Sequence, residues 1–240
     1  MVNDHLLLVC GEATSGKSAS LMNIKNPEGV LYLNCEAGKK LPFKNKFKRV
    51  TVTDPNQILT AFDQAEQMED VHTIVIDSLT YMMDMYETCY IYRSTNGQAA
   101  WQDFQQFFKI LMQQKVAASK KMVIFTAHTL SEFHEASGTF RSRIPIKGAL
   151  KGAGIESFFS MSVTARILPL TELEDYKNDM LTITPQEEVL GVKHVFQTQL
   201  TRATVGDKIR APMGMWEPNE TYIDNDVNQV TQRILEYYAD

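Results

Sequence analysis

Residues 11 to 18 read Gly11-Glu12-Ala13-Thr14-Ser15-Gly16-Lys17-Ser18, directly after the apolar run Leu6-Leu7-Leu8-Val9-Cys10. The spacing is that of a P-loop. Gly11 and Gly16 let the backbone curl so that successive N–H groups point at an anion, and Gly16 leaves room for close approach. Lys17 adds a point charge for the outer phosphates. Ser18, first in the helix expected to follow, offers a hydroxyl to Mg2+, and that helix start adds partial positive charge beneath the phosphates. All eight residues are read as nucleotide-binding, because a strand pattern before them and a helix pattern after them separate the motif from a chance Gly-Ser loop.

Working outward, apolar strand candidates recur at Leu6 to Cys10, Val30 to Asn34, Arg49 to Val52, Thr73 to Asp77 and Met122 to Ala127, with helical patterns between several of them. That alternation predicts an α/β fold with a mostly parallel twisted sheet flanked by helices. A helix over about Asn56 to Glu69 is marked by Asp54 as a cap and Pro55 at its first position. A second, about Gln98 to Ala118, carries Phe104, Phe107, Phe108, Leu111 and Met112 at helical spacing, a core stripe. Strand-like segments at Phe158 to Leu168, His194 to Thr201 and Met213 to Trp216 extend the sheet with antiparallel strands, and a helix over about Val227 to Tyr238 closes the chain. The acidic stretch Thr171 to Glu188 reads as a surface insertion.

The 240 residues, 44% hydrophobic, suffice for one domain over positions 1–240. A net charge of −5 argues against a generally basic nucleic-acid binder, so any polyanion must meet local patches. Cys10, Cys35 and Cys89 are too scattered for a disulfide framework or a zinc site, which suits a reducing cytoplasm. No apolar stretch approaches the roughly 20 residues that span a bilayer, so no membrane role is expected.

Hydrolysis needs more than a P-loop: a carboxylate for the metal shell, a group that orients water and one that senses the outermost phosphate. Asp77 ends the apolar strand His72-Thr73-Ile74-Val75-Ile76 and, with Ser18, forms the candidate metal pair. Glu36 ends the strand Leu31-Tyr32-Leu33-Asn34-Cys35 on the same sheet edge, where it can reach an attacking water; the plain alternative is a solvated loop glutamate before Gly38. His128 ends a third strand and can bond a γ-phosphate, or be structural. Lys17, Glu36 and His128 are the candidate catalytic set.

This order of elements, continued by Lys147-Gly148-Ala149-Leu150-Lys151, resembles the RecA-type recombinase core. The resemblance implies ATP and Mg2+ as cofactors, Glu36 as the water-activating acid, and His128 where the family usually has glutamine. Gly206-Asp207-Lys208-Ile209-Arg210-Ala211-Pro212 resembles the family's basic hairpin, which implies that Lys208 and Arg210 contact the ATP of a neighbouring subunit in a homo-oligomer. The N-terminal helix and linker strand of full-length recombinases have no counterpart here, so no filament of the usual kind is expected. A core of this size is similar to the short RecA-like bacteriophage proteins, the Sak-four type, that anneal single-stranded DNA; this implies the cytoplasm of a host cell.

In that family two loops face single-stranded DNA. Their counterparts are about Met85 to Gly97, with Tyr86, Tyr90, Tyr92 and Arg93, and about Leu130 to Lys151, with Phe133, Phe140, Arg141, Arg143, Lys147 and Lys151. Aromatics interleaved with cations suit stacked bases over a neutralised backbone; packed tyrosines and incidental charge are the alternative. A further cluster, Lys39, Lys40, Lys44, Lys46, Lys48 and Arg49, has no acid within it, and suits either anions or a solvated edge. Three functions stay open: a recombination or annealing ATPase; a nucleotide-gated module that recruits a partner such as a single-strand-binding protein and hydrolyses little; and a helicase-type ATPase of the same fold. A small-molecule kinase fits poorly, since Arg141 to Arg143 lacks the helix pair of a lid.

Overall fold

The computed structural model describes residues 3–135, 139–146, 148, 150 and 154–239. Its strands are β1 (Leu6–Gly11), β2 (Val30–Asn34), β3 (Lys48–Thr51), β4 (Thr73–Asp77), β5 (Met122–His128), β6 (Leu130–His134), β7 (Thr139–Arg143), β8 (Met161–Pro169), β9 (Val192–Gln197) and β10 (Tyr222–Asp224). Eight of them form one sheet in the order β10-β9-β8-β1-β5-β4-β2-β3, while β6 and β7 pair as a separate hairpin. From β8 to β3 every neighbour is parallel; β9 and β10 add antiparallel pairs. The α/β expectation therefore holds, with one correction: β8 lies parallel to β1, and the antiparallel pairing begins only between β8 and β9.

β1 is apolar along its length because it is covered on both faces. Leu6, Leu8 and Cys10 face one core with Phe62, Phe104 and Phe108, while Leu7 and Val9 face the other with Val163, Ile223 and Ile234. The first core is roofed by helices α1 (Asn56–Ala65), α2 (Leu79–Tyr86) and α3 (Gly97–Ile110), the last continuing as a π-helical turn over Leu111–Val116. The Phe104 to Met112 stripe is buried throughout, as its spacing requires. α1 stops short of Glu69, and Asp54 accepts the N–H of Asn56 with Pro55 as the cap residue itself.

Two other expectations need correction. The segment after the P-loop is a five-residue 3-10 helix, Ala19–Asn23; Asn26 then takes a left-handed conformation before Pro27, which ends any helix. Its dipole is correspondingly small. Met213 to Trp216 is a turn, and the last strand is β10, too short to show a pattern in sequence. The stretch Thr171 to Glu188 lies at the surface with one anchor: Leu173 is buried against Val195 and Tyr222, and Tyr176 meets the Tyr222 ring at 4.7 Å. Among the described residues no helix is long and apolar enough to cross a membrane.

Candidate functional site

Parallel pairing brings the strand ends together. The register sets Gly11 beside His128 and Asn34 beside Asp77, so the P-loop, the two acids and the histidine share one sheet edge. Between them lies a cavity of about 350 Å3 lined by Lys17, Ser18, Tyr32, Glu36, Lys39, Asp77, His128 and His194, among others.

The P-loop glycines are required by crowding. A Cβ at Gly11 would fall 2.4 Å from Ser15 Oγ and 2.8 Å from the Ala165 carbonyl oxygen. At Gly16 it would fall 2.7 Å from Asn225 Nδ2 and 2.9 Å from His194 Nδ1, with φ at +101°. Gly16 is therefore also crowded on its Cβ side by the chain's own Asn225 and His194. Lys17 is buried, its ammonium donating to the carbonyls of Gly11 (2.9 Å) and Glu12 (2.7 Å). Burial pushes its pKa down to about 8, against the pull of Asp77 and Glu36.

Asp77 is buried and saturated by hydroxyls. Its Oδ2 accepts from Ser18 Oγ (3.0 Å) and the Tyr32 hydroxyl (2.6 Å), and its Oδ1 accepts from Thr126. Burial, then the adjacent Asp77 charge, pushes the Tyr32 pKa up, so the phenol stays a donor. A serine hydroxyl and a carboxylate in contact are hard oxygen donors of the kind Mg2+ takes alongside phosphate oxygens, so the pair fits that ion. No cluster of three or more His, Cys, Asp or Glu suited to a metal occurs among the described residues.

Glu36 sits in a tight turn built by Asn34. The Asn34 Oδ1 accepts the N–H groups of Glu36 (3.0 Å) and Gly38 (3.3 Å), and its Nδ2 donates to the Lys39 carbonyl (2.7 Å). The turn folds Lys39 back, so both Glu36 oxygens are held: Oε1 by His128 Nε2 at 3.2 Å and Oε2 by Lys39 Nζ at 2.9 Å. The bond from His128, reinforced by Lys39, holds the Glu36 carboxyl down at about 2 against the opposing effect of burial. His128 donates its backbone N–H to Thr80 and meets the Tyr81 ring edge-on at 5.6 Å. It also lines a second cavity, about 510 Å3, with Tyr81, Asp84 and Arg143.

Sequence reasoning missed several residues here. Tyr32 and Thr126 are polar tips inside apolar strands, a signal that was present. His194 Nδ1 lies 3.0 Å from the Ser15 carbonyl oxygen, and Asn225 Nδ2 donates to that of Gly16 at 3.0 Å. Their separation from the P-loop in sequence left no signal. On the same side Arg166 pairs with Asp207, which also accepts from Ser142 of β7 at 2.7 Å.

The residues expected to meet DNA are dispersed. The first loop is a correction: helix α2 runs through Tyr86 and a π-helical turn through Ile91, so Tyr90 packs on Tyr86 and donates its hydroxyl to Asp54. Tyr92 and Arg93 remain exposed. In the hairpin Phe133 and Phe140 are 56% and 62% exposed with ring centroids 5.3 Å apart, Arg141 is exposed and Arg143 pairs with Glu132. Lys147 and Lys151 lie outside the described residues. The basic cluster is partly neutralised by distant acids, since Lys46 pairs with Glu28 and Lys48 with Asp70. The segment after Gly206 forms a single bridge, Ser162 to Arg210, in place of a hairpin; Lys208 pairs with Glu156 at 2.8 Å and Arg210 donates to the Phe159 carbonyl. Arg210 lines a cavity with Asn3 and Leu6, at the amino edge of the sheet.

A family model described as AAA domain matches residues 4–202. This chain belongs to that AAA domain family. It is a P-loop nucleotide-binding ATPase domain, and Lys17, Ser18 and Asp77 line the cavity beside its P-loop. No curated protein matches the chain. The AAA domain match stops before β10 and the helix Val227–Tyr237, although Asn225, between those two elements, holds the P-loop.

Proposed function

We propose that this AAA domain protein is an Mg2+-dependent ATPase that works on single-stranded DNA as a homo-oligomer, in phage-type recombination or strand annealing. The observation that carries the ATPase half is the convergence of Lys17, Ser18, Asp77, Glu36 and His128 on one cavity. Lys17 leaves the Gly11 and Glu12 carbonyls for the phosphates, and Ser18 and Asp77 would hold Mg2+. The ion, when bound, neutralises charge developing on the phosphate oxygens. Glu36 orients the attacking water by accepting its hydrogen bond, and the proton passes late to the phosphate product. His128 bonds the outermost phosphate in exchange for Glu36.

The DNA half is supported by position. β6 begins two residues after His128, and its hairpin presents Phe133 and Phe140 to solvent on one face, for stacking, and Arg141 on the other, for charge neutralisation. Lys208 and Arg210, both engaged within their own chain, are assigned to the neighbouring subunit's ATP only on the resemblance. A second reading, a nucleotide-gated module that recruits a single-strand-binding protein and hydrolyses little, is favoured by one observation: both Glu36 oxygens are already occupied.

The deciding experiment is turnover with no DNA, single-stranded DNA and duplex DNA across salt. Stimulation by single strands alone, with binding that weakens at a slope near −0.7 per neutralised phosphate, is expected. Turnover that is negligible under all three conditions selects the second reading. Glu36→Gln is expected to bind ATP and hydrolyse it poorly; unchanged turnover removes Glu36 from its role.

A further inference from the structure

Lys39 belongs to no recognised motif, yet the site is built around it. Its backbone is pinned from two sides, by Asn34 Nδ2 on its carbonyl and by the Arg49 guanidinium on the same carbonyl at 2.9 Å. The left-handed conformations of Ala37 and Gly38, φ +49° and +78°, turn the chain so that its side chain closes over Glu36. Its ammonium is 2.9 Å from Glu36 Oε2 and its side chain is 69% exposed, lining the nucleotide cavity across from Lys17. It is thus a mobile cation with a fixed root, at the mouth of a polyanion site.

We propose that Lys39 is a nucleotide-operated latch: it holds Glu36 Oε2 until a triphosphate draws it onto the outermost phosphate, freeing that oxygen to accept the attacking water. This rests on the proposed role of Glu36. The competition is decided by charge. Glu36 offers one negative charge and the triphosphate several, in the same partly buried cavity, so the ammonium moves to the phosphates when they arrive. A diphosphate ends one phosphate short and leaves the latch closed. Lys39 therefore discriminates ATP from ADP and couples that discrimination to the water site, with no cation from another subunit.

The test is a double-mutant cycle on Lys39 and Glu36 in the full-length chain, read by affinity for fluorescent mant-ATP and mant-ADP and by turnover. Lys39→Ala is expected to weaken mant-ATP by about tenfold and mant-ADP by less than about twofold, and Lys39→Arg to restore the preference. Glu36→Gln, which no longer retains the ammonium, is expected to bind mant-ATP several-fold more tightly, a gain that disappears in the Lys39→Ala, Glu36→Gln pair. A Lys39→Ala chain that keeps its ATP preference, or loses both nucleotides equally, overturns the latch; so do additive effects in the pair. Native turnover in Glu36→Gln overturns instead the Glu36 role, which the mant-ATP to mant-ADP ratio of Lys39→Ala does not measure.

Discussion

The two flanks of the P-loop strand do different work. Toward β5, β4 and β2 the strand ends carry His128, Asp77 and Glu36, groups that face the cavity with charge and protons. Toward β8, β9 and β10 the chain supplies Arg166, His194 and Asn225, and two of these hold loop carbonyls at Ser15 and Gly16. One flank presents chemistry; the other sets the shape of the loop that chemistry acts upon. The difference shows how this sheet divides labour: on the β5 side of β1 the carboxyl ends of parallel strands bring His128, Asp77 and Glu36 to the cavity, while on the β8 side antiparallel β9 and the segment after β10 bring His194 and Asn225 to the loop.

The contrast between the flanks is most exposed at Asp77. Asp77→Asn keeps the shape but removes the charge that gathers Ser18, Tyr32 and Thr126, and turnover is expected to fall at least about a hundredfold with the fold intact by circular dichroism. Turnover within a few-fold of native would show that the β4 end is not part of the chemistry.

On the opposite flank, Asn225→Ala is the matching probe. It removes the donor to the Gly16 carbonyl and opens space where the loop is tightest, so about 1 kcal/mol of stability is lost and KM for ATP rises about tenfold. The rate at saturating ATP stays near native, because no reacting group has moved. A fall in kcat with unchanged KM would place Asn225 on the chemical side instead.

A smaller effect, shared by both flanks, is read through pH. Lys17 titrates near 8 in the fold against 10.5 ordinarily, with burial as the leading cause. Above pH 8 the loop must take up a proton to meet phosphate, so affinity falls by at most about tenfold per pH unit up to 10.5, and calorimetry in buffers of different ionisation enthalpy should register the uptake. Over the same window the unfolded chain keeps the proton that the nucleotide-free fold releases, so fold stability rises with pH. Affinity that is flat from pH 8 to 10 would mean that the ammonium is never at risk.

The chemical flank was legible in the sequence because each strand there is an apolar run stopped by a polar residue, and parallel pairing fixes where such ends meet. Asp77 and Glu36 emerge from that logic alone. The bracing flank was not legible: Asn225 and His194, which crowd Gly16, lie about two hundred positions away in the chain. The basic run from Lys39 to Arg49 looked unneutralised because Glu28 and Asp70 come from other elements. Tyr90 looked like a loop aromatic because a π-helical turn has no sequence pattern of its own. β10 escaped because three residues are too few for alternation to register.

The weakest perturbation probes whether the bracing flank gains chemistry in an assembly. Lys208 is part-exposed and paired with Glu156, so Lys208→Ala costs at most about 1 kcal/mol. Arg210 sits at the amino edge, on the far side of the sheet from its own P-loop. In a dilute sample the Lys208→Ala, Arg210→Ala pair is therefore expected to bind mant-ATP within about twofold of native, because neither cation reaches the cavity of its own chain. If the same residues serve a neighbouring subunit, native turnover rises with protein concentration while that of the double variant stays flat. Turnover per chain that responds to concentration alike in both proteins would leave Lys17, Lys39 and Lys40 as the lysines of the cavity and the flank beyond β8 as a brace alone.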